Sequence, residues 1–231
     1  MARPAIERVG IIGAGAMGRG IAQLMAQCGC RTLVFDLDPA ASKDALASVV
    51  KVWQRLVEKG RMTAPDAKAA RARLSRAGSL ADFSQCDLVI EAIVERLDAK
   101  TALFAELEGI VAPHAILATN TSSLSVTEIA AACARPGRVA GLHFFNPVPL
   151  MKLVEIVAGE RTEKDVTDAL AALIARTGHR GVRVGDTPGF LVNHAGRAYT
   201  TEALKILAEG VAAPATIDAI ARDAAGFRMG P

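Results

Sequence analysis

The sequence has no run of eighteen apolar residues, and this excludes a membrane-spanning helix. Residues Met1 to Ile6 lack the charged and then apolar pattern of a secretory leader, so the chain is expected in the cytoplasm. Four cysteines in 231 residues (Cys28, Cys30, Cys86 and Cys133) are too scattered to staple a small fold. A chain of this length buries enough apolar surface to need no staple. Cys28 and Cys30 lie close together, but no cluster of His or Cys completes a ligand set, so no metal is expected. There is also no internal repeat and no low-complexity segment.

What is present is ordinary in bulk and uneven in detail. The chain is 51% hydrophobic and 22% charged, as soluble globular proteins are. The net charge of +3 is concentrated. Residues 51–76 hold Lys51, Arg55, Lys59, Arg61, Lys68, Arg71, Arg73 and Arg76 against only Glu58 and Asp66. The rest of the chain is therefore negative. Such a segment is either a solvated helical face or a landing site for phosphates. No aromatic residue beyond Trp53 is interleaved there, which argues against nucleic acid as the partner.

The hydrophobic pattern alternates between strand and helix. Short apolar runs at 8–13, 32–36, 87–93, 115–120, 138–145, 152–157 and 180–185 read as strands. Stretches at 16–28, 40–60, 64–76, 97–110 and 163–177 read as helices, those at 40–60 and 64–76 meeting near Gly60. The early strands are apolar throughout, as parallel strands covered on both faces are. The fold class expected is α/β, a doubly wound, mostly parallel Rossmann-type sheet. "DTPGF" (186–190) ends the sheet region. Beyond it come a helix over 190–208 and another from Pro214, with Thr216 as a possible cap. Two helices cannot enclose a core, so Leu191, Val192, Leu204, Ile206 and Leu207 need a partner surface. The domain division is thus 1–186 and an incomplete helical segment, 187–231.

"GAGAMG" (13–18) follows a strand, opens a helix and is followed by Asp36 at the end of the next strand. That context turns a weak motif into a dinucleotide-binding loop. Gly13 makes the tight turn, Gly15 admits a pyrophosphate, and Gly18 lets the helix approach the strand. The helix N-terminus, with Ala16 and Met17, faces the phosphates. Asp36 can accept both adenosine ribose hydroxyls and repels a 2′-phosphate, which favours NAD over NADP.

The stretch "HFFNPVPLMKLVEI" (143–156) raises a second question, because it places a glutamate in a strand that reads as buried. If 138–145 and 152–157 form a hairpin symmetric about Pro149, His143 and Glu155 lie opposite each other and point to one face. A carboxylate there is costly unless paired, and the histidine pairs it. Glu155 then holds one ring nitrogen while the other exchanges a proton. A purely structural His–Glu pair is the alternative. The position of His143, at the carboxyl end of a strand, is where α/β folds bind ligands. Asn120, Thr121, Ser122 and Ser123 share that rim. Ser125 with Glu128 fits a helix cap, which leaves Ser122 for ligand contact. His114, His179 and His194 lack a carboxylate at a suggestive spacing and read as surface or loop residues.

With these words in order ("GIIGAGAMGRGIA", "DLVIEAIVE", "TNTSSLSVTEIA", "GLHFFNPVPLMKLVEIV", "DTPGFLVNH"), the sequence resembles the L-3-hydroxyacyl-CoA dehydrogenase family over nearly its whole length. The resemblance implies an NAD-dependent oxidoreductase acting on a CoA ester, with His143 as general base and Glu155 orienting it. It implies Ser122 and Asn193 as contacts to the reacting part of the substrate and Asn146 as a further support of the site. Asp36, Glu95, Lys100 and Ser122 are implied near the NAD. It also implies a helical hairpin, here about 40–76, facing the CoA, which coincides with the basic segment. The C-terminal helices are expected to begin a longer helical domain that forms a homo-oligomer. The family more often has Asn-Arg where this chain has Asn193-His194, so local contacts are expected to differ. Two other readings stand beside this one. A dehydrogenase of the 3-hydroxyisobutyrate type shares the style of the glycine loop but works through a lysine. A non-catalytic NAD-binding or structural relative would keep the fold alone.

Overall fold

The computed structural model describes residues 3–231. The chain divides into two units, residues 1–186 and 187–231. In the first, β1 (Arg8–Ile12), α1 (Ala16–Gln27), β2 (Arg31–Phe35), α2 (Pro39–Glu58), α3 (Ala64–Arg73) and β3 (Leu74–Arg76) come in turn. They are followed by β4 (Leu88–Glu91), α4 (Leu97–Ile110), β5 (Ile116–Thr119), α5 (Val126–Ala130), β6 (Val139–Phe144), β7 (Leu153–Ala158), α6 (Lys164–Arg176) and β8 (Arg180–Gly185).

All eight strands form one sheet in the order β3-β2-β1-β4-β5-β6-β7-β8. The first six are mutually parallel, β7 runs antiparallel to β6, and β8 is parallel to β7. Adjacent strand residues feed different cores. Ile11, Leu88, Ile90, Ile116, Ala118, Ala140 and Leu142 pack on one face, and Ile12, Val89, Leu117 and Val139 on the other. The two-residue period of a strand, with helices on both sides, explains why these strands read as continuously apolar. The edge strand β8 carries Arg180 and Arg183, charges that discourage pairing with another chain. The chain order reverses at β1, so the carboxyl ends of β1 and β4 border the crevice where such sheets bind ligands.

Local chemistry sets the helix boundaries. The Asp38 side chain accepts from Ala40 N–H at 2.8 Å and Pro39 occupies the first turn of α2, a cap worth about 1 kcal/mol. Thr63 caps α3 in the same way. The sequence reading of 64–76 as helix is corrected at its end. Residues 74–76 are an edge strand beside β2, too short for any periodicity to reveal. Trp53, the one aromatic of the basic segment, is buried among the core residues. His179 is also corrected. It is buried, with Nε2 3.0 Å from the Val148 carbonyl, and it ties the β6–β7 loop to the end of α6.

The second unit holds α7 (Val192–Ala208) and α8 (Pro214–Ala219), followed by one wider turn over Ile220–Ala224. Ala213, not Thr216, is the N-cap of α8, because Pro214 takes the first helical position and leaves Thr216 inside. No residue of α7 is buried, and Leu204 and Leu207 are exposed. Among the described residues, no helix is long and apolar enough to cross a membrane.

Candidate active site

At the end of β1 the chain turns at Gly13, where φ is +98°. A Cβ there would lie 2.4 Å from the Ala92 carbonyl, so any side chain would push β1 away from the segment after β4. One turn into α1, a Cβ on Gly18 would lie 1.8 Å from the Gly13 carbonyl. Gly15 differs, because nothing lies within 4 Å of where its Cβ would be. That space is open to a ligand. The first turn of α1, with Ala16 and Met17, has no acidic residue and no side-chain cap, so its positive end is uncompensated. Asp36 is held beside it by the Ala14 N–H donating to Oδ2 at 2.7 Å and the Asp38 N–H to Oδ1 at 3.0 Å. Gly13, Gly15 and Asp36 line a cavity of about 550 Å³ with Leu37, Val94 and Leu103. An apolar slot beside a carboxylate and a bare helix end suits an adenine nucleotide.

A buried charge cluster stands next to this crevice. Glu91, at the end of β4, is fully buried. Its Oε1 accepts from Lys100 Nζ at 2.5 Å and from Ile93 N–H at 2.7 Å, and its Oε2 from Thr119 Oγ1 at 2.7 Å. Lys100, 1% exposed, also reaches Glu95 Oε2 at 3.2 Å. Its ammonium therefore points inward between two carboxylates. Glu95 accepts from the Ser122 N–H at 2.9 Å, from Thr121 Oγ1, and from Ser123 Oγ at 3.3 Å. Burial pushes the Glu95 carboxyl up, but the Thr121 hydroxyl, the Ser122 N–H and Lys100 outweigh it and hold it below the usual range. Glu95 thus fixes the 121–123 turn from below. Ser122 itself is exposed at the rim.

The β6–β7 ladder pairs His143 with Glu155 directly. Glu155 is fully buried and His143 is 5% exposed. His143 Nδ1 lies 2.6 Å from Glu155 Oε2, a charge-assisted bond if the imidazole is protonated. The Phe145 ring is tilted against the imidazole, centroid to centroid 4.5 Å. Asn120 joins the neighbouring strand ends. Its N–H donates to the Glu91 carbonyl at 2.8 Å, and its Oδ1 accepts the Phe144 N–H at 3.0 Å. Sequence reading placed Asn120 at the rim but missed this brace, because the partner lies 24 residues away on another strand. Asn146 is exposed in the β6–β7 loop. Asn193 lies in the second unit, half-buried at the second residue of α7. It follows the turn at Gly189 (φ +79°), where a Cβ would crowd the His194 N–H at 3.1 Å. Ser125 caps α5 by accepting the Glu128 N–H at 3.2 Å, as read. Asp186, read only as part of a turn, accepts from Ser125 Oγ and from the Val126 and Thr127 N–H groups at 2.8–3.0 Å.

Residues 8–187 match the family described as 3-hydroxyacyl-CoA dehydrogenase, NAD binding domain, and residues 189–231 match its C-terminal domain. The chain belongs to the 3-hydroxyacyl-CoA dehydrogenase family. It is 45% identical to 3-hydroxyadipyl-CoA dehydrogenase of Escherichia coli over 98% of its length, which is 48% of that protein. It is 42% identical to a probable 3-hydroxybutyryl-CoA dehydrogenase of Bacillus subtilis, again over 98% of this chain and 79% of that one. Among solved structures, (S)-3-hydroxybutyryl-CoA dehydrogenase from Ralstonia eutropha superposes with a TM-score of 0.94 at 39% identity. That match covers 98% of this chain and 80% of the other. The chain thus spans about half the length of one of these curated relatives and about four fifths of the other. Membership of the 3-hydroxyacyl-CoA dehydrogenases, through a matched NAD binding domain, makes NAD the cofactor. It also separates the glycine loop from the 3-hydroxyisobutyrate type.

Proposed function

We propose that this chain interconverts an L-3-hydroxyacyl-CoA and the 3-oxoacyl-CoA, with His143 as general acid–base and Glu155 as the residue that orients it. The observation that carries this is the 2.6 Å contact between a buried carboxylate and an imidazole at the carboxyl end of β6. Bound NAD supplies the hydride acceptor. His143 takes the hydroxyl proton of the substrate through Nε2, since Nδ1 faces Glu155. The imidazole gains charge as the proton moves, and the fixed carboxylate stabilises that charge without reorganising. Ser122 is proposed to hold the reacting oxygen, with Asn146 supporting the site, and Asn193 keeps the substrate-contacting role that the family resemblance implies. Glu95 positions Ser122 and Lys100 holds Glu95, so Lys100 acts on the cofactor side indirectly.

The basic segment is proposed to meet the CoA phosphates. Lys43, Lys51, Arg71 and Arg76 line a cavity of about 610 Å³ with Leu46 and Val50, and no acid is among its lining residues. With Trp53 buried, the segment offers no exposed aromatic ring for stacking bases. The exposed Leu204 and Leu207 of α7 are proposed to face a second copy of the chain.

The test is the loss of NADH absorbance with acetoacetyl-CoA. Turnover that vanishes in His143→Ala supports the reading. NADH binding without any turnover in the native chain sinks the catalytic reading and leaves a binding protein. Asp36 adds a selectivity test. NADH should bind at least about tenfold more tightly than NADPH, since a 2′-phosphate beside the carboxylate costs on the order of 1.4 kcal/mol or more. Equal affinities by titration would refute the role of Asp36.

A further inference from the structure

Cys28 and Cys30 flank Gly29, at the turn from α1 into β2, at the far end of α1 from the glycine loop. Their sulfurs are 3.8 Å apart. Cys30 is buried, whereas Cys28 is half-exposed. Cys28 lines a cavity of about 260 Å³ together with Arg176, Lys152, Gln23, Pro149 and Leu150. The two charged residues of that lining are both basic. Arg176 is fixed over the pair by donating Nη1–H to the Ile6 carbonyl at 2.7 Å and Nη2–H to the Cys28 carbonyl at 3.3 Å. Its Nη2 also lies 3.6 Å from Cys30 Sγ. The remaining two cysteines, Cys86 and Cys133, are buried and solitary.

We propose that Cys28 is a peroxide-reactive thiol and that Cys30 resolves it, closing a disulfide across Gly29. The reactive form of a cysteine is the thiolate, which is favoured in partly exposed, electropositive surroundings. Cys28 has both. The contact with the Cys30 sulfur brings it down to about 7, with burial opposing and Arg176 assisting, while Cys30 Sγ also lies 3.6 Å from the Ile6 carbonyl. The Cys28 thiol also donates to the Met25 carbonyl at 3.2 Å, a contact that favours the protonated form and is outweighed. Burial raises Cys86 to about 12 and Cys133 to about 11, so both stay thiols.

The chemistry balances with a hydroperoxide as the two-electron oxidant. The Cys28 thiolate attacks the terminal peroxide oxygen. An S–O bond forms, the O–O bond breaks, and the departing alkoxide takes a proton from water. The Cys30 sulfur then attacks the Cys28 sulfur. The S–S bond forms, the S–O bond breaks, and hydroxide leaves with the Cys30 proton as water. The sulfurs must close from 3.8 Å to about 2.05 Å, a movement within reach of side-chain rotation beside a glycine at φ +102°. Reversible thiols of this kind occur in reducing compartments, where permanent disulfides do not.

Both cysteines fall in one tryptic peptide, residues 20–31, which makes the test direct. The native chain is treated with stoichiometric hydrogen peroxide, its remaining thiols are alkylated, and it is digested. The expected result is a peptide 20–31 lacking two hydrogens and restored by dithiothreitol, while Cys86 and Cys133 react only after unfolding. Cys30→Ser should instead accumulate a sulfenic acid at Cys28 that dimedone traps. In the folded, untreated protein Cys28 should alkylate at least about tenfold faster than Cys86. Equal alkylation rates would overturn the proposal. So would direct passage of Cys28 to sulfinic acid in the native chain with no disulfide.

Discussion

Two carboxylates are buried with partners in one sheet, Glu91 on β4 and Glu155 on β7, and the two pairs are built differently. Glu91 and Lys100 are enclosed, and the carboxylate is satisfied by an ammonium, a backbone N–H and a hydroxyl. Glu155 and His143 are equally deep, but here the partner is an imidazole. Lys100 is enclosed between Glu91 and Glu95, so that pair holds the fold. An imidazole beside one carboxylate can change charge during a reaction. On the proposed mechanism, the same burial serves folding in one place and turnover in the other.

The largest expected effect breaks the reactive pair. His143→Ala should lower turnover by about 10²–10⁴-fold, and because it strips the buried Glu155 of its imidazole the urea midpoint should fall as well. Glu155→Gln keeps shape and reach, so its loss should fall more on kcat than on KM, because the charge it stabilises develops in the transition state. The double variant should cost little more than His143→Ala alone. Additive losses in that cycle would mean that the two residues do not work as a unit.

Lys100→Met should act mainly on stability. It leaves Glu91 buried without its counter-charge, a loss of about 3–5 kcal/mol of stability. Urea unfolding at neutral pH measures it. An unchanged midpoint with collapsed turnover would place Lys100 in the chemistry and erase the distinction. A smaller effect is expected at the basic cavity. Charge reversal at Lys51 and Arg71 should raise KM for the CoA ester several-fold and leave KM for NADH nearly unchanged. If neither constant moves, the cluster is only a solvated face.

How much of this was legible beforehand follows the distance over which partners must be found. The His143–Glu155 pairing could be read because a symmetric hairpin fixes register from twelve residues of sequence. The glycine loop could be read because its strand, turn, helix and acid are contiguous. The Glu91–Lys100 cluster is different in kind: Glu91 meets Thr119 from another strand and Lys100 from a helix, and no local pattern announces either. Lys100 was placed near the cofactor by family resemblance alone, which could not say that its ammonium faces inward. His179 was misread because its partner, Val148, lies 31 residues away in a loop. The three-residue β3 was absorbed into a helix because its only signal is pairing with β2.

Asp186 offers the smallest and most specific test, because among the described residues no cation pairs with its carboxylate. It closes the first unit by accepting the Ser125 hydroxyl and the Val126 and Thr127 N–H groups at the start of α5. Burial pushes its carboxyl up, but the hydrogen bonds from Thr127, Ser125 and Val126 outweigh that and hold it below the usual range. A carboxyl depressed in the folded state stabilises the fold above its unfolded value, about 3.9, and the contribution is lost as pH falls through the lower folded value. Asp186→Asn keeps one acceptor oxygen and loses the charge, so it should cost about 1 kcal/mol at pH 7, the scale of a helix cap. The gap between native and variant should stay constant from pH 7 to about pH 5 and narrow below about pH 4, as the native carboxyl protonates. Because no ion pair is involved, added salt should leave the gap at pH 7 nearly unchanged, unlike a surface salt bridge. Urea midpoints of the two proteins across that pH range, with and without salt, decide it. A gap that persists undiminished at the lowest pH would show that Asp186 acts through its shape, with no contribution from its charge.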